Sequence, residues 1–156
     1  ENLHINPSTL NTSLLYLNVL VNNKHMKAMI DTGPNRTFIS LQALPTSHNR
    51  QFINKRQKSA SLADGHTSIS ILGTLDLHII IGDMSTTIKA HVVKDLCAEC
   101  ILGMDFISKY KVIINADARV VSICDDEKRI TLEFDVNQEE IRCEGKIERL
   151  HFDLIV

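Results

Sequence analysis

No apolar run in this 156-residue chain approaches the ~20 residues of a membrane-spanning helix, and no charged-then-apolar leader opens it. A membrane partner is therefore not expected. An excess of one charge is missing too: 17 Lys and Arg stand against 19 Asp and Glu, a formal −2 that makes no general case for a nucleic-acid binder. Cysteines are few: Cys97, Cys100, Cys124 and Cys143. Without a secretory leader they are expected as reduced thiols, not as a disulfide framework. Cys97 and Cys100 form one C-x-x-C, but no second pair completes a zinc site, and the seven histidines have no metal-ligand spacing. No metal is expected. There is no Trp, only seven residues are Phe or Tyr, and Ala is scarce, at 8 against 28 Ile and Val. That β-branched excess favours strands over helices.

What is present is enough for one domain of 17.6 kDa. The first residue is Glu1 rather than Met, so a piece of a longer polypeptide is expected. Residues 1–13 are polar, carry Pro7, and read as an arm or linker. From Leu14 to Val21 the chain is nearly all apolar, with Leu15, Leu17, Val19 and Val21 on one strand face. Asn22-Asn23-Lys24 suits a turn. A second strand carrying Met26, Ala28 and Ile30 then runs directly into Asp31-Thr32-Gly33.

Further along, Thr37–Ser40 reads as a short strand and Ser40–Leu44 as a brief helix stopped by Pro45. The basic loop 45–60 reads as a solvated face. Asp64-Gly65 suits a tight hairpin turn, and Gly73 is expected to interrupt the strand that follows. Leu75–Ile79 and Ile88–Val92 alternate as strands, Cys100–Leu102 is an apolar run ending at Gly103, and Met104–Tyr110 fits one short amphipathic helix. Val112–Ile114 and Val120–Ile123 flank the turn Asn115–Ala118. Residues 125–156 form a further β-rich stretch of unassigned role. The prediction is an all-β domain over 14–124 with arms on either side.

Chemistry points to Asp31. Two carboxylates held close cannot both ionise and so share one proton over a wide pH range. The ionised member takes a proton from water while the protonated one polarises a carbonyl, which cleaves amides without metal or cofactor. Thr32 can hold such a loop by its hydroxyl, and Gly33 allows close backbone approach. Ser-His-Asp catalysis has no G-x-S-x-G support. Asn11-Thr12-Ser13 and Asn35-Arg36-Thr37 match glycosylation triplets by coincidence.

Asp-Thr-Gly alone is a weak signal; its order along the chain is more specific. An apolar hairpin precedes it, Thr37-Phe38-Ile39-Ser40 follows, Ala63-Asp64-Gly65 comes about thirty residues later and ILGMDFI some seventy later. Over residues 14–124 this order resembles the retropepsin family of retroviral and retrotransposon aspartic proteases, closest in look to gypsy-type polyprotein enzymes. The resemblance implies a closed β-barrel with one short helix, working as a homodimer because this chain carries a single Asp-Thr-Gly. It implies Asp31 as the catalytic aspartate, Thr32 as a lock between two subunits' loops, and Gly33 as a carbonyl offered to substrate. Ala63, Asp64 and Gly65 would form a flap tip over an extended peptide, with Asn35 and Arg36 beside the cleft. Arg36 either pairs with Asp105 or points into the cleft. No cofactor is implied, and a cytoplasmic setting, or a virus-like particle within it, is expected. Two other readings stay open: a host shuttle protease of the ubiquitin pathway, and an inactive module kept for dimerisation or peptide binding.

Overall fold

The structure is a computed structural model that describes residues 14–44, 50–55, 58–62, 68–94, 96, 98–137 and 152–153. Leu14–Val21 (β1) and Lys24–Ile30 (β2) form the antiparallel hairpin that their alternation predicts, paired from Leu15 against Ile30 to Val21 against Lys24. The two loop residues, Asn22 and Asn23, take left-handed φ values of 46° and 68°. Such a pair gives a turn whose twist matches its strands, and Asn tolerates the conformation better than most residues.

Thr37–Ser40 (β3) follows the Asp-Thr-Gly loop, and a single 3-10 turn at Leu41–Ala43 takes the place of the brief helix. Lys58–Leu62 (β4), Ser68–Ile81 (β5) and Met84–Val93 (β6) come next. At Gly73 the expected interruption does not occur: β5 runs on through a register shift between Ile71 and Gly73. The reason is a crossing. Asn54 N–H donates to the Thr74 carbonyl at 2.8 Å and the Thr74 N–H returns a bond to the Asn54 carbonyl at 3.0 Å. A Cβ on residue 73 would stand 2.2 Å from that Asn54 oxygen, so only glycine lets the second segment pass.

Cys100–Leu102 (β7) leads into the helix Met104–Lys109 (α1), followed by Ile113–Asn115 (β8), Val120–Asp125 (β9), Lys128–Glu133 (β10), Asp135–Asn137 (β11) and Phe152–Asp153 (β12). Neighbouring strands run β1-β2-β7-β3-β6-β5, and Leu20 and Val21 of β1 also pair with Ile80 and Ile79 of β5. That last pairing closes a six-stranded barrel. β11 adds to the start of β1, while β4 and then β12 add to the start of β5. Leu17, Val19, Ala28, Ile39, Leu77, Ile79, Ala90 and Leu102 fill the barrel, each 2% exposed or less.

Side chains one residue out of phase form a second apolar layer. Tyr16, Met29, Ile101 and Phe38 stand side by side on β1, β2, β7 and β3 and pack with Ile71 and Val93. β8, β9 and β10 make a separate three-stranded sheet whose Val121 and Ile123 are fully buried against the barrel. Residues 125–137 thus continue a hairpin begun by β9 and return to β1, with Phe134 buried on the way.

Candidate active site

The order β2-β7-β3 dictates where Asp31 sits. β7 runs parallel to β2 and antiparallel to β3, lying between them. A chain leaving β2 must cross the end of β7 to enter β3, and residues 31–36 make that crossing. The Asp31 N–H extends the β2–β7 ladder by one bond, donating to the Leu102 carbonyl at 3.1 Å. The Gly33 N–H then donates to Asp31 Oδ1 at 2.8 Å. This bond to a carboxylate oxygen orients the acid on its own loop. Asp31 and Gly33 are half-buried and Thr32 is exposed.

Gly103 passes beneath the loop. A Cβ there would lie 2.3 Å from the Arg36 carbonyl oxygen and 2.8 Å from that of Pro34, distances no real side chain tolerates. Glycine after Ile101-Leu102 is therefore required by the crossing itself. The loop's second half is tied to α1. The Met104 N–H donates to the Pro34 carbonyl at 2.8 Å and the Asp105 N–H to the Asn35 carbonyl at 3.0 Å. Pro34 lacks a donor but keeps its carbonyl, which is the group this contact uses.

Asp105 completes the tie. Its Oδ2 accepts from the Thr37 N–H at 3.0 Å and its Oδ1 from the Thr37 hydroxyl at 2.9 Å, while the Phe106 N–H donates to Oδ1 at 2.8 Å. The Gly103 N–H makes a longer bond to Thr37 Oγ1 at 3.4 Å. Thr37 is fully buried, so its amide and hydroxyl need partners within the protein. Of the two alternatives for Arg36, this corrects the first, a pair with Asp105. The Asp105 carboxylate serves Thr37 and Phe106, Arg36 is exposed, and the ion pairs among the described residues are Lys27–Asp135 at 3.7 Å and Lys128–Asp83 at 3.9 Å. An exposed guanidinium keeps its water; a buried amide and hydroxyl cannot. Asn35 is exposed at the loop's rim, and Ala63, Asp64 and Gly65 lie outside the described residues.

Behind the loop, Cys100 is fully buried between β2 and β3. Burial, with smaller contributions from the charges of Asp105 and Glu99, pushes its thiol up to about 12, so it is neutral and unreactive at ordinary pH. No three His, Cys, Asp or Glu side chains converge into a metal-binding group among the described residues. No helix among them is long and apolar enough to cross a membrane. Asp31, Thr32 and Gly33, named from the sequence, share one loop over Gly103, whereas Thr37 was legible only as the start of a strand. The available signal was a threonine opening a strand whose other residues are core.

A six-stranded barrel carrying Asp-Thr-Gly across the end of an Ile-Leu-Gly strand defines the retropepsin-like aspartic protease fold. Residues 17–109 match the family described as "gag-polyprotein putative aspartyl protease", and the chain belongs to that family. It is 29% identical over 112 residues to DNA damage-inducible protein 1 of Chaetomium globosum, covering 70% of this chain and 25% of that protein. The protein of the same name from Cryptococcus neoformans is 25% identical over 118 residues, covering 75% and 27%. The chain thus spans about a quarter of the length of these curated relatives. Among solved structures, the retroviral protease-like domain of Ddi1 from Leishmania major superposes with a TM-score of 0.64 at 18% identity, over 79% of this chain and 94% of that one. That likeness is one of fold.

Proposed function

We propose that the chain is an aspartic endopeptidase that works as a homodimer and processes a retroelement polyprotein. The observation that carries this reading is the Asp31 carboxylate, oriented by the Gly33 N–H on a loop pinned over Leu102-Gly103. One such acid is half of a catalytic pair, and this chain supplies one Asp-Thr-Gly. A second copy supplies the other across a two-fold axis. The ionised Asp31 takes a proton from a water, whose oxygen attacks the scissile carbonyl carbon. The protonated Asp31 gives its proton to that carbonyl oxygen. On collapse of the gem-diol, the acid that took the water's proton passes it to the departing nitrogen, the C–N bond breaks, and a gem-diol hydroxyl returns a proton to the other acid. Thr32, exposed in the single chain, would bond across the subunit boundary, and the Gly33 carbonyl would receive the substrate backbone. The substrate binds extended, as an added strand. The setting is the cytoplasm or a particle within it.

The names of the curated relatives favour a second reading of the same chemistry, a host protease of the DNA damage-inducible type. An apolar-site peptide library, incubated with and without an aspartic-protease transition-state analogue, tests both. Cleavage blocked by the analogue and abolished in a folded Asp31→Asn variant is expected. Turnover by Asp31→Asn refutes the assignment. Analogue binding without cleavage would make the chain a peptide-binding module. Cuts mapped in the longer precursor separate polyprotein processing from a host substrate.

A further inference from the structure

We infer that Asp105 and Thr37 form a positioning pair that sets the angle at which Asp31 is presented. The inference rests on the protease reading for its kinetic consequence and on geometry alone for its structural one. The acid-bearing loop has two anchors. Its entry is the Asp31 N–H bond to Leu102, a continuation of the sheet. Its exit is Thr37, which is in register with Ala90 of β6 on one side, but on the other side β3 pairs with β7 only through Phe38 and Ile39, so that ladder stops short of Thr37. The Thr37 amide is held by Asp105 instead, from 68 residues away in the chain.

One carboxylate therefore gathers three donors, the Thr37 amide, the Thr37 hydroxyl and the Phe106 amide, at 2.8–3.0 Å. Bonds to an ionised acceptor are roughly twice as strong as neutral ones. The same junction carries the bonds from Met104 to Pro34 and from Asp105 to Asn35. It also places Gly103 under the loop with no room to spare. Five residues separate Asp31 from Thr37, too short a span to absorb a shift at one end without moving the other. Asp105 thus acts on Asp31 through the loop without touching substrate. A neutral Asn at 105 keeps one carbonyl oxygen for the Thr37 amide and can donate its NH2 to the Thr37 hydroxyl, but the Phe106 N–H then has only the Gly103 carbonyl at 3.1 Å, so Asn is a partial replacement. Ala keeps none, and leaves the buried Thr37 amide and hydroxyl proton without the acceptor they had.

The test compares wild type with Asp105→Asn, Asp105→Ala, Thr37→Val and Thr37→Ser, reading kinetics, the dimer by sedimentation, and the backbone amides by two-dimensional NMR. The Gly33 amide is the reporter, because it bonds Asp31 Oδ1 directly. In Asp105→Ala and Thr37→Val this resonance is expected to shift and its hydrogen exchange to quicken roughly tenfold or more. With the dimer intact, kcat falls roughly 10–100-fold while KM stays within about twofold, the scale expected for a misplaced catalytic group. Thr37→Ser restores most of both, and Asp105→Asn restores part of both. An unmoved Gly33 amide in a folded Asp105→Ala protein overturns the inference whether or not the chain cleaves peptides. So does a loss confined to KM, or one that Thr37→Ser fails to rescue. Absence of cleavage by the wild type, with the Gly33 shift present, overturns the protease reading and leaves the positioning pair standing.

Discussion

Gly103 concentrates the demands of the site into one missing atom. Replacing it with Ala forces a Cβ to within 2.3 Å of the Arg36 carbonyl oxygen, so the loop or β7 must yield. A loss of about 3 kcal/mol or more in urea unfolding is expected, near the upper end for overpacking because backbone rather than side chain must move. Tyr16 presents the reverse case. Its hydroxyl is buried with no hydrogen-bond partner among the described residues, and burial raises its pKa. Tyr16→Phe is expected to leave stability unchanged or raise it by up to about 1 kcal/mol, since the unmet desolvation is removed; a loss above 1 kcal/mol by the same urea assay would reveal a partner. Cys100 gives a pH dependence. Its folded thiol holds its proton up to about 12, whereas an unfolded thiol releases it near ~8.5. Between these values the folded state binds more protons than the unfolded, so stability is intact below that range and falls as pH rises through it. Cys100→Ala should flatten that alkaline decline in unfolding curves taken at pH 8 and 10.5.

At the scale of elements, the β1–β2 turn is tied to β5 as well as to its own strands. The Asn22 N–H donates to the His78 carbonyl at 2.9 Å, and Asn22 Oδ1 accepts from the His78 N–H at 2.9 Å. Asn22→Ala keeps the backbone bond, loses the side-chain one and places Ala at φ 46°. A cost of about 1–2 kcal/mol follows, read as a lower melting temperature with no change in secondary structure by circular dichroism. The strands themselves were legible: alternation in Leu15–Val21, Leu75–Ile79 and Ile88–Val92 records a face turned to the barrel. α1 was legible because Gly103 precedes it and its apolar Phe106 recurs at helical spacing with Tyr110, with which it stacks. Gly73 was misread as a break, because a glycine that ends a strand and one that lets a distant segment cross it look alike in sequence.

For the whole molecule, residues 125–137 test how far the domain extends. β10 pairs along the full length of β9, β11 pairs with β1, and Phe134 lies in the core. A chain ending at Cys124 would lose these contacts, and a drop of several kcal/mol in calorimetry is expected, on the scale of deleting a buried Phe and its neighbours. Weaker dimerisation by sedimentation at low micromolar concentration should accompany it. An unchanged melting temperature would make the segment an accessory. The proposed dimer makes its own demand: specific activity should fall as enzyme is diluted toward the dissociation constant, and stay constant with dilution only if one chain suffices.

Local pattern alone determined the β class, the hairpin that delivers Asp31, the Gly-bearing loop and the short helix, because alternation, turn residues and helix periodicity are short-range properties. Closure of the barrel through β1 and β5, the threading of β7 between β2 and β3, and the choice of Thr37 rather than Arg36 as the partner of Asp105 came only with the tertiary structure. Those features join residues about 60–70 positions apart, where burial decides which donors must be satisfied, and which distant acceptor meets a buried donor cannot be read from neighbours in the chain.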